Sequence, residues 1–121
     1  MAKVLLVEDE ALVAELVRET LEDEGLDVCA FYSGRQALGR IASEPRSFQV
    51  LVTDIDLGEG VTGFQVAAAA RAANPDVQVV YVTGLSSNIY AAEAEALMFP
   101  KPFDPVELAT QVRALMGDAK N

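Results

Sequence analysis

Four acids, one hydroxyl and one lysine are the residues of this chain whose types and spacing suit joint chemistry. They are Glu8 and Asp9, Asp54 with Asp56 two residues on, Thr83 and Lys101. Each group follows a short apolar run: Val4 to Val7 before Glu8, Val50 to Val52 before Asp54, Val79 to Val82 before Thr83, and Ala96 to Phe99 before Lys101. Carboxylates that converge repel one another, and a like-charge pair at ~4 Å costs about 4 kcal/mol at an effective dielectric near 20. Such a cluster takes up protons or holds a cation. The chain has no histidine and one cysteine, so the ligands on offer are oxygens, and these select a hard ion, Mg²⁺ or Mn²⁺. A carboxylate beside such an ion can attack phosphorus and form an acyl phosphate. Lys101 and the Thr83 hydroxyl are then suited to the remaining phosphoryl oxygens. Singly, each residue has a plainer role: Glu8 and Asp9 as helix-capping acids, Thr83 as a strand-end hydroxyl, Lys101 as a solvated turn residue.

Elements must bring these residues together. The runs Lys3 to Val7, Leu26 to Phe31, Phe48 to Thr53, Val77 to Val82 and Ala96 to Phe99 read as strands. The apolar, unalternating ones are the kind a parallel sheet buries on both faces. Between them lie helical patterns. Ala11 to Glu24 places Leu12, Val13, Leu16, Val17 and Leu21 on one stripe, with Gly25 as its stop. Ser33 to Gln36 and Thr62 to Gln65 have the spacing of capping boxes. A helix is expected over about Ser87 to Glu95. A last one starts at Asp104-Pro105-Val106-Glu107, with Val106, Ala109, Val112 and Met116 as its stripe. Strand and helix alternate five times, which predicts an α/β fold. Its core is a flavodoxin-like, doubly wound, five-stranded parallel sheet in the order 2-1-3-4-5, with five helices on both faces. In that order the ends of strands one and three flank the switch point, where open α/β sheets place their sites.

The 121 residues, 51% hydrophobic, suit one compact domain over residues 1–121, and no linker-like run divides them. A net charge of −10 argues against nucleic acid or an anionic membrane as a direct partner. The lone Cys29, the lack of a signal peptide, and the lack of any apolar run near ~20 residues point to the cytoplasm.

The acid pair after strand one, Asp54 after strand three, Thr83-Gly84 after strand four and Lys101-Pro102 after strand five resemble the receiver domain of two-component response regulators. The likeness runs from about Lys3 to Leu115. It implies that Asp54 is the phosphoacceptor and that Asp9 and Asp54 ligate Mg²⁺ through their side chains. Glu8 would reach the ion through water, and Asp56 would offer its backbone carbonyl. Thr83 would be the switch hydroxyl and Lys101 the lysine that pairs with the phosphoryl group, in a Lys101-Pro102 peptide that is usually cis. The implied phosphodonor is a sensor histidine kinase or histidine phosphotransfer protein, and the output passes to a downstream protein. Such a domain catalyses only its own phosphorylation and a slow self-hydrolysis. Because the sequence stops soon after the last helix, no DNA-binding or enzymatic output is expected within it; a stand-alone regulator and a domain of a larger chain fit equally. Three features depart from the family pattern: Met98 where an aromatic is frequent, Glu93 to Ala96 in place of a Gly-Ala pair, and no proline after Asp56. With methionine at that position, the response to phosphorylation is expected to travel through Leu85 to Tyr90 and the helix that follows.

Two other classes compete. Asp54-Ile55-Asp56 after an apolar strand resembles the nucleophile and acid/base pair of a haloacid-dehalogenase-type phosphatase, but that family places its extra acids later in the chain. A flavin carrier would need a hydroxyl- and glycine-rich phosphate loop where Glu8-Asp9-Glu10 stands.

Overall fold

The computed structural model describes residues 3–58, 60–84 and 97–117. Five parallel strands, β1 (Lys3–Val7), β2 (Asp27–Phe31), β3 (Val50–Asp54), β4 (Gln78–Thr83) and β5 (Leu97–Pro100), form one sheet in the order 2-1-3-4-5. Among the described residues four helices flank it: α1 (Ala11–Asp23), α2 (Gly34–Ser43), α3 (Gly63–Ala73) and α4 (Pro105–Gly117). The further helix expected over Ser87 to Glu95, and the segment Leu85 to Tyr90, lie outside the described residues. No described helix is long and apolar enough to cross a membrane.

The central strand β3 is buried along its whole length. Its alternate residues feed two cores, because successive side chains of a strand point to opposite faces. Leu51, Val79 and Tyr81 join Ala37, Ile41, Val66 and Ala67 of α2 and α3 on one face. Val50, Val52, Val80 and Val82 join Val17, Leu21, Leu108 and Val112 of α1 and α4 on the other. Met98 pairs in register with Tyr81 and packs against the first core. Tyr81 there stands edge-on to Phe64, ring centroids 5.1 Å apart.

Helix ends follow local chemistry. Gly25, with φ of +85°, ends α1: its N–H donates to Glu22 O and the Leu26 N–H to Leu21 O. This pattern needs a left-handed residue, which glycine adopts without penalty. Thr62 and Gln65 close a full capping box at α3. Ser33 Oγ accepts from the Gln36 N–H at α2, and Asp104 Oδ1 accepts from the Val106 N–H at α4.

Two helix faces differ from the expected stripes. On α1 the buried residues are Ala14, Val17 and Leu21, while Leu12 is 86% and Leu16 52% exposed. At about 100° per residue, Leu12 lies roughly 140° and Leu16 roughly 100° round the helix from Val17, off the sheet-facing strip. On α4 the face is Leu108, Ala109, Val112 and Met116, and Val106 is exposed. Val106 sits about 120° from Val112, and Leu108 takes the place expected of it.

Candidate functional site

The carboxyl ends of β1, β3, β4 and the start of the turn after β5 converge on one edge of the sheet, and backbone bonds continue the ladder past the strands. The Glu8 N–H donates to Phe31 O (3.0 Å), the Ile55 N–H to Val82 O (3.0 Å) and the Lys101 N–H to Thr83 O (2.7 Å). These bonds hold Glu8, Asp54 and Lys101 in place without relying on their side chains. Asp54 ends β3 opposite Val82 and is 6% exposed. Thr83, buried, ends β4 one residue beyond that pair. The Lys101-Pro102 peptide is cis.

Lys101 is the hub. Its Nζ donates to Asp54 Oδ2 at 2.9 Å and to Glu10 Oε1 at 3.1 Å, and lies 3.2 Å from Glu8 Oε1. Asp54 Oδ1 accepts from the Asp56 N–H (3.2 Å), and Glu8 Oε2 from the Glu10 N–H (3.0 Å). Glu8 therefore anchors the turn into α1 by a backbone bond, whereas Glu10, the residue before α1, makes no side-chain capping bond.

Electrostatics show how strained the charge balance is. Burial pushes the Glu8 carboxyl up to about 7, and the nearby Asp54 charge adds to the rise. Burial also raises Asp54, against the hydrogen bond and charge of Lys101, which pull it down. Burial alone would lower Lys101, but its bonds to Asp54 and Glu10 reverse this and raise its pKa. One lysine does not neutralise the acids gathered here.

One oxygen each of Glu8, Asp9 and Asp54 lies within 4.8 Å of the others, with Asp9 exposed and the other two buried. An all-oxygen trio with unneutralised charge fits a hard divalent cation. Of the positions expected from the sequence, Glu8, Asp9, Asp54 and Lys101 are thus brought together. Asp56, exposed, joins through its N–H and a bridge to Thr62, and Thr83 joins through its carbonyl.

Two residues were missed. Glu10 touches Lys101 from 91 positions away in the chain, a separation on which local spacing carries no information. Gly63, the first residue of α3, donates its N–H to Ile55 O (2.7 Å). A Cβ there would sit 2.3 Å from Asp54 O and 2.9 Å from Ile55 Cα. A glycine opening a helix, where alanine is the better former, was the available signal. Gly63→Ala is expected to cost about 1–3 kcal/mol, because the added methyl meets fixed backbone. Gly39→Ala, where a Cβ meets nothing within 4 Å, should be neutral or stabilising by about 0.5–1 kcal/mol. Urea unfolding of the two variants compares them directly.

The family model for the response regulator receiver domain matches residues 4–113. Among curated relatives, the response regulator receiver protein CpdR of Brucella abortus (strain 2308) is 28% identical over 96% of this chain and 98% of its own length. The sensor kinase CckA of the same organism is 30% identical over 95% of this chain but only 12% of its own length. The chain spans about half the length of several transcriptional regulatory proteins that it also matches. Among solved structures, a response regulator receiver protein from Sinorhizobium medicae WSM419 superposes with a TM-score of 0.88 and 31% identity, covering 96% of this chain and 94% of that one.

Proposed function

This chain belongs to the response regulator receiver domain family of two-component signalling, and from that premise we propose that residues 1–121 form a single cytoplasmic receiver domain whose phosphoacceptor is Asp54. The observation that carries this is the buried Asp54 carboxylate at the end of the central strand, 2.9 Å from Lys101 and grouped with oxygens of Glu8 and Asp9. An Asp54 oxygen attacks the phosphorus of a phosphohistidine on a sensor histidine kinase or histidine phosphotransfer protein. The O–P bond forms as the P–N bond breaks, and the electron pair leaves with the imidazole, which takes up a proton. Lys101 neutralises a phosphoryl oxygen, and the hydroxyl of Thr83, at the end of the neighbouring strand, takes another.

Glu8, Asp9 and Asp54 would hold Mg²⁺, with Mn²⁺ as a substitute and the Asp56 carbonyl as a further donor. The ion, when bound, supplies charge neutralisation at the transferring phosphoryl group. The domain acts only on itself, by phosphorylation from a donor and slow hydrolysis. It passes the change to a downstream protein and, at a net charge of −10, does not itself contact nucleic acid. Incubation with acetyl phosphate and Mg²⁺ is expected to add one phosphoryl group per chain by intact mass. Sustained turnover of a generic phosphate ester would instead support the phosphatase chemistry of a haloacid dehalogenase, to which the family match gives no support.

The phosphohistidine must arrive on a protein, and an apolar surface adjoins the site. A groove of about 430 Å³ beside Lys101 is lined by Val13, Leu16, Val17, Pro102 and Phe103, with the exposed Leu12 on the same helix. Leu16→Arg is expected to slow transfer from a protein phosphodonor about ten-fold, as loss of an apolar anchor does. Labelling by acetyl phosphate should be unchanged. Equal slowing with both donors would place Leu16 in the folding of the domain and not in docking.

A further inference from the structure

An ammonium group has three N–H donors, and on Lys101 three carboxylates stand ready to take them: Asp54 at 2.9 Å, Glu8 at 3.2 Å and Glu10 at 3.1 Å. A phosphoryl oxygen that is to bind Lys101 must displace one of the three. Asp54 is the acceptor itself, and Glu8 is 3% exposed with its other oxygen bonded to the Glu10 N–H. Glu10 differs from both. Its side chain is 63% exposed, so its carboxylate can exchange Lys101 for water at little cost. Its side chain also makes no capping bond at the start of α1, and among the described residues its side-chain partner is Lys101.

We propose that Glu10 is a positioning residue that occupies, on Lys101, the place a phosphoryl oxygen takes once Asp54 is modified. This rests on the assignment of Asp54 as phosphoacceptor. Before phosphorylation Glu10 keeps Lys101 at the mouth of the site. During it, Glu10 competes with the donor's anionic oxygen for the same N–H. The competition sets how readily the site takes an anion, not whether Asp54 can react.

The test is binding of beryllofluoride, in the presence of Mg²⁺, to the full chain and to Glu10→Gln, Lys101→Ala and the double variant. Glu10→Gln is expected to bind about two- to five-fold tighter at low salt, the range open to an exposed ion pair. The gain should shrink towards ~1 M salt. In the Lys101→Ala background, Glu10→Gln should change nothing, because the effect runs through that lysine. With acetyl phosphate as donor, the gain should appear in the half-saturating donor concentration and not in the maximal rate. Equal affinities of the parent and Glu10→Gln, or a gain that persists without Lys101, would overturn the proposal while Asp54→Asn still refuses the phosphoryl group. Phosphorylation of Asp54→Asn would overturn the acceptor assignment instead, and the proposal with it.

Discussion

Asp54→Asn is expected to fold and to take up no phosphoryl group from acetyl phosphate and Mg²⁺, whereas the parent takes up one. An amide of the same shape retains an oxygen to accept the Asp56 N–H, which now donates to Asp54 Oδ1. Lys101 keeps Glu8 and Glu10 as partners, so no buried cation is stranded. What is lost is the proposed nucleophile, because a neutral amide oxygen does not form an acyl phosphate under these conditions. The same substitution should leave the metal-free protein no less stable than the parent. Burial raises the Asp54 carboxyl despite the opposing pull of Lys101, so its charged form is held at a cost that asparagine removes. Intact mass reads the first effect and thermal melting without metal the second. Stoichiometric labelling of the asparagine variant, at Asp9 or Asp56, would move the acceptor elsewhere.

Metal-free stability is expected to fall by about 2 to 3 kcal/mol as pH rises from 4.5 to about 7, and Glu8→Gln should flatten that slope. Burial lifts Glu8 from 4.5 to about 7 in the folded chain. Between those values the folded state holds a proton that the unfolded state has released, so raising the pH favours unfolding. Stability from this group is fully present below pH 4.5 and is lost as pH climbs through the folded value. A pKa unit corresponds to 1.36 kcal/mol, and because one of the two states is only half-titrated at each end of this range, the change across it is smaller than the full shift, about 2 to 3 kcal/mol. Mg²⁺ should restore stability at the upper end, since an ion that binds only the folded state stabilises it by mass action. Urea unfolding with a chelator at pH 4.5 and pH 7.5 measures the slope. A slope of the same size in Glu8→Gln would assign it to other acids.

Strand order and the placement of acids at strand ends were legible because β1, β3 and β4 are continuous apolar runs that change abruptly to polar residues at Glu8, Asp54 and Thr83. A parallel sheet demands both features, burial on two faces and a site at the carboxyl edge. Helix starts were legible for an equally local reason: the capping bonds at Ser33, Thr62 and Asp104 span three residues or fewer. Local pattern did not determine how each helix is rotated on the sheet. Leu12 and Val106 share the hydrophobic period of their helices, but the sheet covers only a narrow strip, and both fall outside it. Nor did spacing show that Asp54 O and Ile55 Cα crowd position 63, or that Lys101 reaches Glu10 as well as Asp54 and Glu8. Those contacts join residues on different elements, up to 93 positions apart. Sequence separation says nothing of such distances until the β1–β3–β4–β5 register closes them, so residue types alone determined which chemistry was possible, and the tertiary structure decided which acids share the lysine.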